Sequence, residues 1–172
     1  MISVPRSVLA FVVLFVSVGS HPGAAQQRDS MAGMKMSETK SAAPYHPGLG
    51  ELMTAFVQPR HIKLGFAGNE RNWAYAAYEL GELTETFDDV AKLVPKHDNL
   101  PIPEMIASTV KQPMAALGAA IKARDAAAFA KAYIELTTSC NACHQSAGHP
   151  MIVIRVPTVS SFPDQDFRPD QK

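Results

Sequence analysis

The chain has two cysteines, and a histidine follows the second directly: Cys140-Asn141-Ala142-Cys143-His144. C-x-x-C-H is the attachment signature of c-type haem. Positions i, i+3 and i+4 share one face of a helix. Two thiols spaced this way can bond to the two vinyl groups of one macrocycle while the imidazole reaches its iron. Asn141 and Ala142 then point away and are expected to be free to vary. A thioredoxin-like C-x-x-C needs a preceding strand and a βαβ setting, whereas an Ala-rich helical stretch comes before this one. Structural zinc wants four ligands; the motif offers three, and there is no second C-x-x-C. A disulfide across two residues of a helix is geometrically poor.

Such a motif needs one helix to carry it and others to enclose what it holds. Residues Leu49 to about Ala147 read as four helices. The first spans about Gly48 to Ala67, with Leu49, Leu52, Met53, Phe56, Leu64 and Phe66 apolar; Pro59 is expected to kink it or start a second piece. Asn72 caps the second, where Trp73, Ala76, Ala77, Leu80, Leu83, Phe87, Val90, Ala91 and Val94 recur at spacings of three and four until Pro95. Lys96 to Pro101 reads as a loop. The third begins at Pro103, a favourable first-turn position, carries Met105, Ile106, Val110, Met114, Leu117 and Ile121, and meets another expected kink at Pro113. Asp125 caps the fourth. Its face of Phe129, Ala132, Tyr133, Leu136 and Cys140 continues into Cys143 and His144.

Four amphipathic helices on short connections predict an all-α antiparallel four-helix bundle over residues 48–148. No stretch of that body alternates like a strand. The macrocycle is expected at the bundle centre against Trp73, Phe87 or Phe129. Residues 149–172 are rich in β-branched side chains and then punctuated by Pro157, Pro163 and Pro169, so an extended C-terminal tail lying against the bundle is expected. Glu82, Glu85, Asp88 and Asp89 read as the solvated face of the second helix.

The N-terminus reads as an export signal over residues 1–25. Arg6 is followed by an apolar run from Val8 to Val18, too short to span a bilayer, and then by Ser20, Gly23, Ala24 and Ala25, small residues suited to cleavage. A cut is expected after Ala25. Periplasmic export agrees with both the motif and the cysteine usage. The cut removes one of the 16 basic residues and none of the 16 acidic ones, leaving a net charge of −1 that favours neither nucleic acid nor an acidic membrane surface. Residues 26–47 read as a flexible linker. It holds Met31, Met34 and Met36, between His21 and His46. Clustered thioethers suit Cu(I), but three methionines on no ordered scaffold make a weak site.

The position of the motif separates cytochrome classes. Only 28 of 172 residues follow His144, too few to wrap helices and a ligand loop around a macrocycle. C-N-A-C-H on a fourth helix, with this helix count and order, resembles the cytochrome c prime family, or class II cytochrome c, over residues 49–148. Arg60-His61-x-Lys63-Leu64-x-Phe66-Ala67-Gly68, followed by Asn72-Trp73 and Tyr78-Glu79, is similar to exported bacterial haem proteins of uncertain role. The resemblance implies one haem c with its iron, thioether bonds from Cys140 and Cys143, and His144 as proximal ligand. It also implies a side chain of the first helix facing the sixth iron position, and a homodimer through the first two helices. Relatives usually end within a turn or two of the motif, so the tail predicts a more covered proximal side.

The first helix offers two candidates for that sixth position, His61 and Met53. They lie within about 80° of one face but about 12 Å apart along an ideal helix, so one iron takes one of them. His61, beside the kink expected at Pro59, is the distal residue expected first; Met53 is the alternative. His97 and His149 are expected in solvated loops, Met105 and Met114 in the core, and Arg60 or Lys63 against a haem propionate. His/Met ligation raises the reduction potential and suits an electron carrier; an open site suits NO or CO. No Ser/His/Asp arrangement, Gly-rich phosphate loop or spare Cys points to an enzyme. The expectation is a periplasmic monohaem c-type cytochrome serving a periplasmic or membrane-bound redox partner. A gas-binding haem protein is the competing class, and a copper-handling module ranks well behind.

Overall fold

The structure is a computed structural model and describes residues 45–170. The expected signal segment 1–25, His21 and Met31, Met34 and Met36 lie outside these residues. The elements are α1 (Leu49–Leu52), a π turn (Met53–Val57), α2 (Gln58–Asn69), α3 (Trp73–Leu93), β1 (Lys96–His97), β2 (Leu100–Pro101), α4 (Ile102–Ala123) and α5 (Ala126–Ser146). The residues joining α1, the π turn and α2 keep right-handed helical angles, so the three pieces form one rod. Four long helices result, each antiparallel to the next, and α5 returns beside α2. Leu64, Leu83, Val90, Leu117, Phe129 and Leu136 are fully buried between them.

Pro59 does not break the first rod. It has no N–H to give to a carbonyl four residues back, and the backbone compensates just before it. The Gln58 N–H reaches back five residues to the Met53 carbonyl, which widens that turn. Asn72 caps α3, its Oδ1 accepting from the Tyr75 N–H at 3.2 Å. Asp125 Oδ1 accepts from the N–H groups of Ala127 and Ala128, both at 3.0 Å. The preceding helices close on Arg71 (φ 58°) and Arg124 (φ 56°), left-handed positions where glycine is usual. Paired backbone bonds, Asn72 N–H to Ala67 O at 2.9 Å and Asp125 N–H to Ala120 O at 3.0 Å among them, hold these ends.

The connection expected as a loop is a short hairpin. Lys96 pairs with Pro101 and His97 with Leu100, around Asp98 and Asn99, both at positive φ. Two consecutive left-handed residues are what a tight hairpin turn demands, and Asp and Asn tolerate that conformation.

α2 and α5 approach most closely at two glycines. A Cβ on Gly65 would come within 2.6 Å of the Tyr133 hydroxyl, and one on Gly68 within 2.0 Å of the Phe129 ring. Aromatic side chains of α5 therefore lie directly on the α2 backbone and fix its register. His61 faces Thr137, Gly65 faces Tyr133 and Gly68 faces Phe129. The tail is extended without forming a strand, as its sequence predicts. It runs back over the first rod: Pro157 lies against Gly65, the Lys63 ammonium sits 4.7 Å above the Phe162 ring, and Phe167 is buried between Phe66 and Tyr75. The Asn72 Nδ2–H donates to the Arg168 carbonyl at 3.1 Å. No described helix is long and apolar enough to cross a membrane.

Candidate functional site

Asp125 starts α5 and the helix runs unbroken to Ser146, so Cys140, Cys143 and His144 all lie on its last two turns. Both thiols are free. Cys140 packs against the core, and burial, followed by the neighbouring Cys143, pushes its thiol up to about 11. Burial also raises Cys143, against a smaller lowering from the Thr109 side chain of α4. Thiols held neutral in this way are poor thiolate ligands for zinc. They suit a group that ends as an uncharged thioether. Among the described residues no three His, Cys, Asp or Glu side chains converge as a metal cage.

His144 is oriented from the tail. Its Nδ1 lies 2.8 Å from the Ile152 carbonyl oxygen. A carbonyl only accepts, so Nδ1 carries the proton and Nε2 keeps its lone pair. A ligating histidine typically has its other ring N–H bound in this way. The chain reaches this position through Gly148, at φ 79°. The Gly148 N–H bonds Gln145 O at 3.1 Å and the His149 N–H bonds His144 O at 2.8 Å, the pair that closes a helix on a left-handed residue. Asn141, expected to point away, is engaged by the tail instead. Its Nδ2–H donates to Ile154 O at 2.9 Å and its Oδ1 accepts from the Ile154 N–H at 2.7 Å. Ala142 is exposed.

His61 is buried between α2 and α5, with its ring stacked 4.7 Å from that of Tyr133. Both nitrogens are engaged: Nε2 with Thr137 Oγ1 at 2.9 Å and Nδ1 with the Tyr133 hydroxyl at 3.1 Å. The Tyr133 hydroxyl gives its one proton to the His61 carbonyl at 2.6 Å. Its oxygen therefore accepts from Nδ1–H; the Thr137 hydroxyl lies between Nε2 and the Tyr133 carbonyl, 2.9 Å from each, and its one proton serves one of them at a time. Burial lowers His61 from 6.5 to about 4. The unfolded chain binds this proton below pH 6.5 and the folded chain does not until about pH 4, so the stability is complete above 6.5 and falls on acidification. Between those limits the protein should lose about 3 kcal/mol from this group. Urea midpoints at pH 7 and pH 4.5 check this: His61→Gln should flatten the dependence, and equal slopes would mean that water reaches the ring.

The register of α2 on α5 separates the two distal candidates. His61 is level with Thr137, about 10 Å short of His144 along α5. Met53 is eight residues before His61 and packs against the core from the π turn. Extending the register brings Met53 within about one residue's rise of His144. Sequence spacing alone could not supply this, because it does not fix how two helices slide past each other.

Other candidates are engaged elsewhere. Arg60 binds Glu79 at 3.3 Å and Glu82 at 2.7 Å, and Lys63 covers Phe162. Glu79 was not singled out for its chemistry by sequence, yet it is 1% exposed. Glu82 turns toward Arg60, whereas Glu85, Asp88 and Asp89 are solvated as expected. Trp73 meets Phe129 edge-on at 6.1 Å, about 21 Å along α5 from Cys143; both belong to the opposite end of the bundle. Only Phe87, two-thirds along the parallel α3, comes level with the motif. His97 and His149 are half-buried rather than solvated, with ring centroids 6.5 Å apart.

Two neutral thiols, an imidazole with its tautomer fixed and a thioether-bearing residue level with it fit a covalently held haem. No family model, curated protein or solved structure matches the chain.

Proposed function

We propose that the chain carries one haem c, bound through Cys140 and Cys143, with His144 as proximal ligand and Met53 on the distal side, and that it works as a monohaem cytochrome in single-electron transfer. The observation that carries this reading is the His144 Nδ1–H bond to the Ile152 carbonyl, which commits Nε2 to be the free nitrogen on the face shared with both thiols. The bound haem would supply a one-electron iron couple, with His/Met ligation setting a high potential. The chain's residues anchor it, orient the imidazole and, through the tail, cover the proximal side. The apolar run from Val8 to Val18 and the small residues up to Ala25 support export, where such haem attachment occurs and where a periplasmic or membrane-bound redox partner would be met.

The test is covalent retention. Protein made with the haem-attachment machinery should keep its colour through acid–acetone extraction and carry it in a denaturing gel. Cys143→Ser should retain at most a single-bonded, poorly matured product. Pigment that extracts freely from the unmodified chain refutes the reading.

A further inference from the structure

We infer that Asn141 is a positioning residue for the proximal imidazole: by clamping the Ile154 backbone at two points it holds the Ile152 carbonyl against His144 Nδ1. The inference rests on the haem reading above and goes beyond it, since C-x-x-C-H leaves both inner positions undefined. Asn141 uses its donor and its acceptor on the same peptide residue, at 2.9 and 2.7 Å. A solvated surface asparagine has no reason to satisfy both at once on a segment thirteen residues away. The geometry is that of a short ladder. Asn141 and His144 are three residues apart on α5, about 4.5 Å of rise. Ile154 and Ile152 are two residues apart on extended chain, about 6.6 Å. The segment therefore runs antiparallel to the last turn of the helix, with the side chains closing the small difference.

The clamp compensates for a weak hold elsewhere. Met151, Ile152 and Val153 are 75, 48 and 61% exposed, so apolar burial does little to fix this stretch. Gly148 sets the reversal and the Ile152 N–H closes a turn onto the His149 carbonyl at 3.0 Å, but neither contact holds the peptide on the far side of Ile152, whose carbonyl faces His144. Asn141 supplies that hold. Its consequence is electronic as well as structural, because a carbonyl accepting from Nδ1–H raises the basicity of Nε2 and so stabilises the oxidised iron.

Asn141→Ala is read in two ways. In the full-length haem-free chain, hydrogen exchange at the Ile154 amide should accelerate at least tenfold while amides in the middle of α5 keep their protection. In the haem-loaded protein the reduction potential should rise, with covalent attachment intact because both cysteines remain. Ile154→Pro breaks the shorter arm of the same clamp from the tail side by deleting the donor to Asn141 Oδ1, without touching the motif helix, and should also raise the potential. Unchanged exchange at Ile154 overturns the inference. So does lost protection with an unchanged potential in both variants. If the unmodified chain takes up no covalent haem, the haem reading fails and takes this inference with it. A coloured, covalently loaded wild type with an inert Asn141→Ala sinks the inference alone.

Discussion

Replacing Met53 with alanine should turn the haem-loaded protein from low-spin to high-spin in both oxidation states and open it to CO. His61→Ala should leave the spectrum low-spin. The expectation follows from axial level. The contacts of His61, Gly65 and Gly68 with α5 fix the register, and His61 then falls level with Thr137, one helical turn before Cys140. Both of its nitrogens are already bonded, and freeing Nε2 would break the bond to Thr137. Among the described residues Met53 has no competing polar partner, and its turn is widened by the i to i+5 bond ahead of Pro59; such bulges are frequent at functional sites. Loss of a methionine–iron charge-transfer band in Met53→Ala would complete the assignment. A spin change that follows His61→Ala instead would overturn it. A wild type already high-spin and reactive to CO would favour the gas-binding reading over electron transfer.

Removing the Arg60 guanidinium should cost about 3 kcal/mol, the low end for breaking a buried pair because Arg60 itself is partly exposed. Glu79 lies on the α3 face turned to α2 and is essentially inaccessible. Arg60 reaches it at 3.3 Å while also holding Glu82. Arg60→Ala leaves the Glu79 carboxylate in a low-dielectric setting without its cation. Equilibrium urea unfolding measures the loss, and Glu79→Gln in the Arg60→Ala background should recover part of it. A loss below about 1 kcal/mol would put the pair among ordinary surface bridges.

Much of the fold is legible in the sequence because its signals are local. Asn72, Pro103 and Asp125 announce helix starts through their own chemistry, and each helix begins within a residue of the place they indicate. The hairpin at Lys96–Pro101 reads only as a loop: Asp98-Asn99 carries a turn signal, but two residues on each side are too few to show alternation. What escapes is what depends on how distant elements dock. Asn141 looks free while α5 is considered alone and becomes a clamp only when Ile154 comes alongside. Glu79 looks like one more acid on a charged helix until the pitch of α3 turns it toward Arg60. The choice between His61 and Met53 needs the slide of α2 on α5, which two glycines set and no periodicity records. Trp73 and Phe129 fit a central cofactor by type, but their mutual contact sends them to the other end of the bundle.

The C-terminal tail also bears on the order in which the molecule comes together. Its contacts join Asn72 to Arg168 and Asn141 to Ile154, across separations of 96 and 13 residues. It has no regular structure to form beforehand. A chain made from its N-terminus acquires this segment after the four helices that receive it, which can already pair. Loop-closure entropy sets its most distant contact behind the local ones. Through that interval the turn from Cys140 to His144 stands open on the side the tail will close, so the molecule is accessible at its motif early in its life and covered there afterwards.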